Sequence, residues 1–379
     1  LRDNTRPIVF IPTYIGYERL MEGSTYIGEL RGAAKEQESI WQIIQTSRKI
    51  EKIFGKVHLT FGEPIFLKDI LNQENPQWQN TAFDAKAKLP WLNRTVDNLA
   101  NQINTHINQA AAINPITLLS LVLLSTPNHA IDEDVLIKQL DLYKHIASHL
   151  PYSSRIKITE LNGAGMLSYG VQLKAIQRVK HPLGDLICVA DNQAVFLTYF
   201  RNNILHLFVL PSLVACLMQH NGQLHREQIS QVIVSLYPYL KSELFLSWDV
   251  SEIEALVNQH IDILISSGIL TIVDHVIFSP HPNTEEYAQL VILGEAVKET
   301  LERYFMTISL LTERQSGSIN QKQLENLCSL LAQRLSVLYE FNSPEFFDKG
   351  IFRNFIDTLK KVGLLQQDEQ GLLHFACLP

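Results

Sequence analysis

The chain has 379 residues, 46% of them apolar and 19% charged, with a net charge of −7. That length exceeds one typical core and predicts two or three domains. The apolar share excludes a disordered chain, and the acidic balance argues against a nucleic-acid binder, which would carry a basic excess.

In chain order, Ile8-Val-Phe-Ile-Pro12-Thr-Tyr-Ile15 reads as a buried strand that meets a proline, and polar side chains begin just past it at Glu18 and Arg19. Residues 35–53 carry Ile40, Ile43, Ile44, Ile50 and Ile53 near helical spacing. Val57–Phe61 alternates apolar and polar and reads as a second strand, closed by Gly62-Glu-Pro64. Strand, helix, strand over about 55 residues matches the length of a βαβ crossover. Residues 1–75 are therefore expected to be the last part of an α/β domain, and 76–90 a polar linker.

Residues 91–379 turn strongly helical, with subdivisions expected near 220 and 283. Leu92, Val96, Leu99, Ile103 and Ile107 form one stripe that Asn114-Pro115 should end. Asp132 is placed to cap a helix over 133–150. Ala194–Met218 is the most apolar stretch, but Arg201, Asn202 and Asn203 interrupt it, so it reads as a buried strand followed by a helix rather than a membrane span. Three segments, 186–197, 268–279 and 363–375, each read apolar, turn, apolar with an Asp near the tip, and each follows a helical stretch. Helices ending in a hairpin suggest two or three winged-helix-like units in tandem. The helix expected over 250–267 has no Lys or Arg, so its use on DNA phosphates is not expected.

Chemistry-bearing patterns are few. Cys188, Cys216, Cys328 and Cys377 are too dispersed for a metal knuckle or a CxxC pair and fit a reducing compartment. His129 and Asp134 have four residues between them, but Asp132 or Asp134 as a helix cap explains that segment better. His145 and His149 could share a helix face but lack a third ligand. No metal site and no cofactor is expected. Arg201 with its two amides reads as a buried polar cluster that needs partners, either backbone carbonyls or an acidic group across a domain interface.

Several blocks in order carry a resemblance: Ile8–Glu18, Glu22–Glu36, Phe61-Gly-Glu-Pro64, Tyr199-Phe-Arg201-Asn-Asn-Ile-Leu-His206, Glu243-Leu-Phe-Leu-Ser-Trp248, Arg334-Leu-Ser-Val-Leu338 and Asn342–Lys349. Together they resemble the bacterial membrane-bound members of the glycerol-phosphate acyltransferase family, and Ile8–Glu18 is similar to the last of that family's four catalytic blocks. The resemblance implies acyl transfer from acyl-CoA or acyl-carrier protein to the 1-hydroxyl of glycerol 3-phosphate, the first step of phospholipid synthesis. It also implies a peripheral protein at the cytoplasmic face of the inner membrane. The family's catalytic His/Asp pair and its phosphate-holding blocks would lie ahead of this chain, which opens on Leu1 and is read as a trimmed piece, inactive alone. No catalytic residue is therefore expected here. Pro12, Thr13, Tyr14, Ile15 and Tyr17, beside Ile11 and Gly16, would shape the acyl-donor and substrate pocket, with Thr13 standing where an aliphatic residue is usual. Arg31 and Lys35 are candidates for phosphate contact. The alternative is a non-enzymatic helical scaffold or regulator.

Overall fold

The computed structural model describes residues 6–19, 55–80, 89–189, 194–339 and 343–376. The helix expected over 35–53 lies outside them, as do Arg31 and Lys35.

The first segment is two short pieces. β1 (Val9–Phe10) and β2 (Thr13–Tyr17) are separated by Ile11-Pro12, because proline cannot donate to a ladder. β2 pairs antiparallel with β3 (Val57–Phe61), and β1 pairs antiparallel with β4 (Ile65–Phe66). This corrects two expectations. The strand is not continuous, and β2 and β3 are not the parallel pair of a βαβ unit. Alternating burial along both strands fits an antiparallel ribbon with one covered and one open face.

α1 (Leu67–Glu74) follows directly, and α2 (Pro90–Gln109) opens the helical part. β5 (Ala112–Ile113) pairs parallel with β7 (Lys157–Ile158). Asn114-Pro115 starts a helix rather than ending one. The Asn114 side chain accepts from the Ile116 and Thr117 amides, and proline suits the first turn of α3 (Pro115–Leu124).

From α3 onward one element order recurs three times. In the first unit α3, β6 (Ala130–Asp132), α4 (Glu133–His149) and α5 (Gly163–Gln172) lead into the hairpin β8 (Gln177–Val179) and β9 (Leu186–Cys188), with sheet order β6-β9-β8. After α6 (Ala194–Asn202) comes the second unit, α7 (Leu205–Asn221), β10 (Gln223–His225), α8 (Arg226–Leu244), α9 (Val250–Ser266), β11 (Thr271–Val273) and β12 (Val276–Phe278), with order β10-β12-β11. After α10 (Glu285–Glu295), the third unit runs α11 (Lys298–Arg314), α12 (Gln321–Tyr339), α13 (Lys349–Lys361), β13 (Gln366–Gln367) and β14 (Leu373–His374). There Asn320 bridges Leu372 beside β14 and takes the place of the first strand. Two of the three expected hairpins stand where the sequence put them. The first is displaced: its strands are β8 and β9, turning through 180–185, and Ala194 onward is helix. Ala194, Leu197, Thr198, Phe200 and Arg201 are the buried positions, a helical spacing that overrides the β preference of the run.

α7 is covered on all sides by its neighbours, α10 and α9 chief among them, and forms the centre of one continuous core. No single described helix is long and apolar enough to cross a membrane. α6 and α7 pass that test only together, and they meet at a 95° bend.

α5 is wedged against α3 and α4 by two glycines. A Cβ on Gly163 would sit 2.3 Å from the Ile137 carbonyl oxygen, and one on Gly170 would sit 2.5 Å from Leu119 Cδ1. Gly163→Ala is expected to cost about 1–3 kcal/mol, since the clash is with backbone that cannot turn away. A shift in the urea midpoint checks this, and an unchanged midpoint contradicts it.

Candidate functional site

The β2–β3 ribbon has two chemically different faces. Register pairs Thr13 with Phe61, Ile15 with Leu59 and Tyr17 with Val57, and these pairs point outward. Ile15 is 47% exposed, Leu59 57% and Phe61 57%, so the open face is apolar. Ile11 continues it. The intervening residues Pro12, Tyr14, Gly16 and Glu18 are buried against the helical part. The period of two thus divides the predicted site residues: Thr13, Ile15 and Tyr17 on the open face, Pro12 and Tyr14 on the covered one. The Tyr14 ring lies over Gly16, where a Cβ would be 2.7 Å from the ring. Burial pushes the Tyr14 hydroxyl up to about 12.

Both ends of the ribbon are fastened. At one end Arg155 pairs with Glu63, and His106 Nδ1 donates to the Glu63 carbonyl at 2.8 Å. At the other, the buried Glu18 carboxylate gathers three donors from separate segments. Tyr169 on α5 donates its hydroxyl to Oε2 at 2.5 Å, and the Lys56 amide donates to the same oxygen at 2.6 Å. His58 Nε2 lies 3.2 Å from Oε1. Gly55, at φ +72°, permits this approach, since a Cβ there would come within 2.8 Å of Glu18 Cβ. Burial, then the neighbouring carboxylate, raises the Tyr169 hydroxyl above its ordinary value. Sequence reading singled out Glu18 as a charged neighbour of the apolar run but carried no signal of Tyr169 or His58.

The ribbon can offer an apolar chain a surface. Among the described residues, no group of three His, Cys, Asp or Glu could hold a metal ion. His129 Nδ1 donates to the Leu123 carbonyl at 3.3 Å, and it is Asp132 that caps α4. Arg201 finds the acidic partner its burial requires. Its Nη2 donates to Glu299 on α11 at 2.8 Å, and Arg303 pairs with Glu243 close by. Burial alone would raise the Glu299 carboxyl, but Arg201 and then Arg303 hold it below its ordinary value. These groups line a cavity of about 450 Å³.

The description "Glycerol-3-phosphate acyltransferase C-terminal region" belongs to the family model that matches residues 26–368. A glycerol-3-phosphate acyltransferase of Pseudomonas paraeruginosa is 41% identical over 375 residues, covering 99% of this chain and 45% of the relative. Those of Pseudomonas fluorescens and Ectopseudomonas mendocina are each 40% identical, over 99% and 98% of this chain and 45% of their own length. The chain thus spans about half the length of the curated relatives it matches. The ordered blocks, the continuous family match and these relatives together establish that the chain belongs to the glycerol-3-phosphate acyltransferase family, within its C-terminal region.

Proposed function

We propose that this chain is the rear part of an enzyme that moves an acyl group from acyl-CoA or acyl-carrier protein to the sn-1 hydroxyl of glycerol 3-phosphate, giving 1-acylglycerol 3-phosphate. In this reading the attacking hydroxyl is activated by a His/Asp pair carried by residues ahead of this chain, the histidine as base and the aspartate orienting it. Ile11, Thr13, Ile15 and Tyr17 of the open ribbon face line the acyl pocket, with Leu59 and Phe61 continuing the wall. Pro12 and Tyr14 hold the ribbon to the helical part. Arg31 and Lys35 remain candidates for the phosphate of donor or acceptor. The three repeated units, with strands in the order first, third, second, act as winged-helix-like scaffolding. Their use on nucleic acid is disfavoured because α9 carries no Lys or Arg. The enzyme works as a peripheral protein at the cytoplasmic face of the inner membrane, where its product partitions.

The observation that carries this reading is the apolar open face of a ribbon whose other face is firmly seated. An acyl chain needs area, not hydrogen bonds, and each methylene removed from water contributes about 0.8 kcal/mol. The test is turnover of labelled acyl-CoA and glycerol 3-phosphate. The full-length polypeptide is expected to form 1-acylglycerol 3-phosphate, and residues 1–379 alone are expected to form none. Ile15→Glu in the full-length protein is expected to lower kcat/KM for a long-chain donor by at least about tenfold, because a charge then faces the chain. Turnover by residues 1–379 alone, or an Ile15→Glu protein as fast as wild type, would overturn the reading.

A further inference from the structure

We infer that Tyr169 is a positioning residue for acyl-donor selection, acting through Glu18. This rests on the acyl-pocket reading of the ribbon's open face and adds to it the part of the helical domain that sets the wall's place. The argument begins with rigidity. Tyr169 sits next to Gly170 on α5, and Gly163 and Gly170 of that helix are in contact too close for a side chain. The helix is also tied at its start, where the Gly163 amide donates to Asp141 Oδ1 at 2.7 Å. Tyr169 is therefore carried on a wedged post.

Glu18 directly follows β2, so its carboxylate marks where the wall ends. Its side chain is 1% exposed. A buried carboxylate is costly without donors, and its hydrogen bonds become correspondingly strong when made. Of the three donors, His58 lies on β3 and the Lys56 amide immediately precedes it, so both move with the ribbon. Tyr169 alone of the three comes from the helical domain, 151 residues away. The Tyr169–Glu18 bond therefore fixes the wall relative to the scaffold rather than one strand relative to the other. A wall free to shift by a fraction of an ångström accepts acyl chains of differing length with less discrimination, because the length limit is a contact.

Tyr169→Phe keeps the ring and removes the donated proton. In hydrogen exchange on residues 1–379, amides of 14–18 and 56–60 are expected to exchange about tenfold faster, while those of α7 keep their protection and report an intact core. In the full-length enzyme, the ratio of kcat/KM between the preferred acyl-chain length and one four carbons away is expected to shrink about fivefold, with kcat for the preferred donor changed less than twofold. Glu18→Gln, whose amide oxygen still accepts from Tyr169, is expected to retain most of the discrimination, whereas Glu18→Leu matches Tyr169→Phe. Unchanged ribbon exchange, or rates that fall in parallel for every chain length, overturns the inference. Absence of acyl transfer in the wild-type full-length protein would instead overturn the functional reading, and the exchange comparison would still decide whether Tyr169 holds the ribbon.

Discussion

Replacing Arg303 with leucine is expected to remove about 3–5 kcal/mol of unfolding free energy, among the largest effects open to a single substitution in this chain. Arg303 is 6% exposed and pairs with the equally secluded Glu243; Nη2 also donates to Thr300 Oγ1 at 3.0 Å. Burial alone would lower the guanidinium's affinity for its proton, yet Glu243 and then Glu299 hold it above its ordinary value, so Arg303 stays charged in the folded state. Leucine leaves Glu243 desolvated without a partner. The loss is thus the stranding of a carboxylate, not the worth of the pair. That distinction is measurable. Arg303→Leu combined with Glu243→Gln removes both charges and is expected to recover more than half of the loss. Urea midpoints of wild type, both single variants and the double variant check this. A double variant no more stable than Arg303→Leu contradicts it.

Acidification from pH 7 to pH 4 is expected to destabilise the fold by several kcal/mol before most carboxylates titrate. Burial lowers both His206 and His260 to about 4. The hydrogen bond from His206 Nε2 to the Asn108 carbonyl, 3.0 Å, opposes this only in part. The unfolded histidines take up protons near 6.5 and the folded ones only near 4. The unfolded state therefore binds more protons throughout that window, and stability falls as pH falls from 6.5 towards 4. Full depression over that interval corresponds to about 3 kcal/mol for each residue. Glu299, held below its ordinary value by Arg201, adds a loss of the same sign at the acid end. His260 Nδ1 has no hydrogen-bond partner among the described atoms, so methionine can replace it without stranding a neighbour. His260→Met is expected to flatten the plot of unfolding free energy against pH between 6.5 and 4. A slope equal to wild type would show that His260 stays ionisable in the fold.

Local signals carried the sequence far where structure is local. The alternation of Val57–Phe61 is the β3 strand itself, and Asp132 caps α4 as its position suggests, accepting from the Asp134 and Val135 amides. The turn at Asp274-His275 has both residues at positive φ, the arrangement a two-residue hairpin prefers. The displaced first hairpin shows the limit. Its true turn, with Pro182 and Gly184, follows a strand of Gln177-Arg-Val that is exposed throughout and offers a single apolar residue. The apolar run beyond it was helical because neighbouring elements bury one of its sides, which no window of sequence reports.

The site was legible in the same partial way. The apolar runs located both strands of the ribbon, but the first was read straight through Pro12, where β1 and β2 part, and their antiparallel pairing was not readable. The sorting of Thr13, Ile15 and Tyr17 from Pro12 and Tyr14 follows from the period of two once the partner strand is known. Tyr169, by contrast, meets Glu18 only through the packing of α5, and nothing near either residue announces the other. The Arg201 cluster lay between: its need for polar partners was readable, while the choice of Glu299, 98 residues on, over backbone carbonyls was not. The blocks around Arg201, Glu243 and Ser343 are far apart in the chain and meet at one cavity.

The most direct test of the acyl-pocket wall is photo-crosslinking of the full-length polypeptide with a long-chain acyl-CoA bearing a diazirine on its alkyl tail, followed by mass mapping of the adducts. Adducts are expected on 11–17 and 57–61, concentrated at Ile15, Leu59 and Phe61, and reduced by unlabelled donor. Competable adducts confined to other segments, with the ribbon unmarked, would contradict the account.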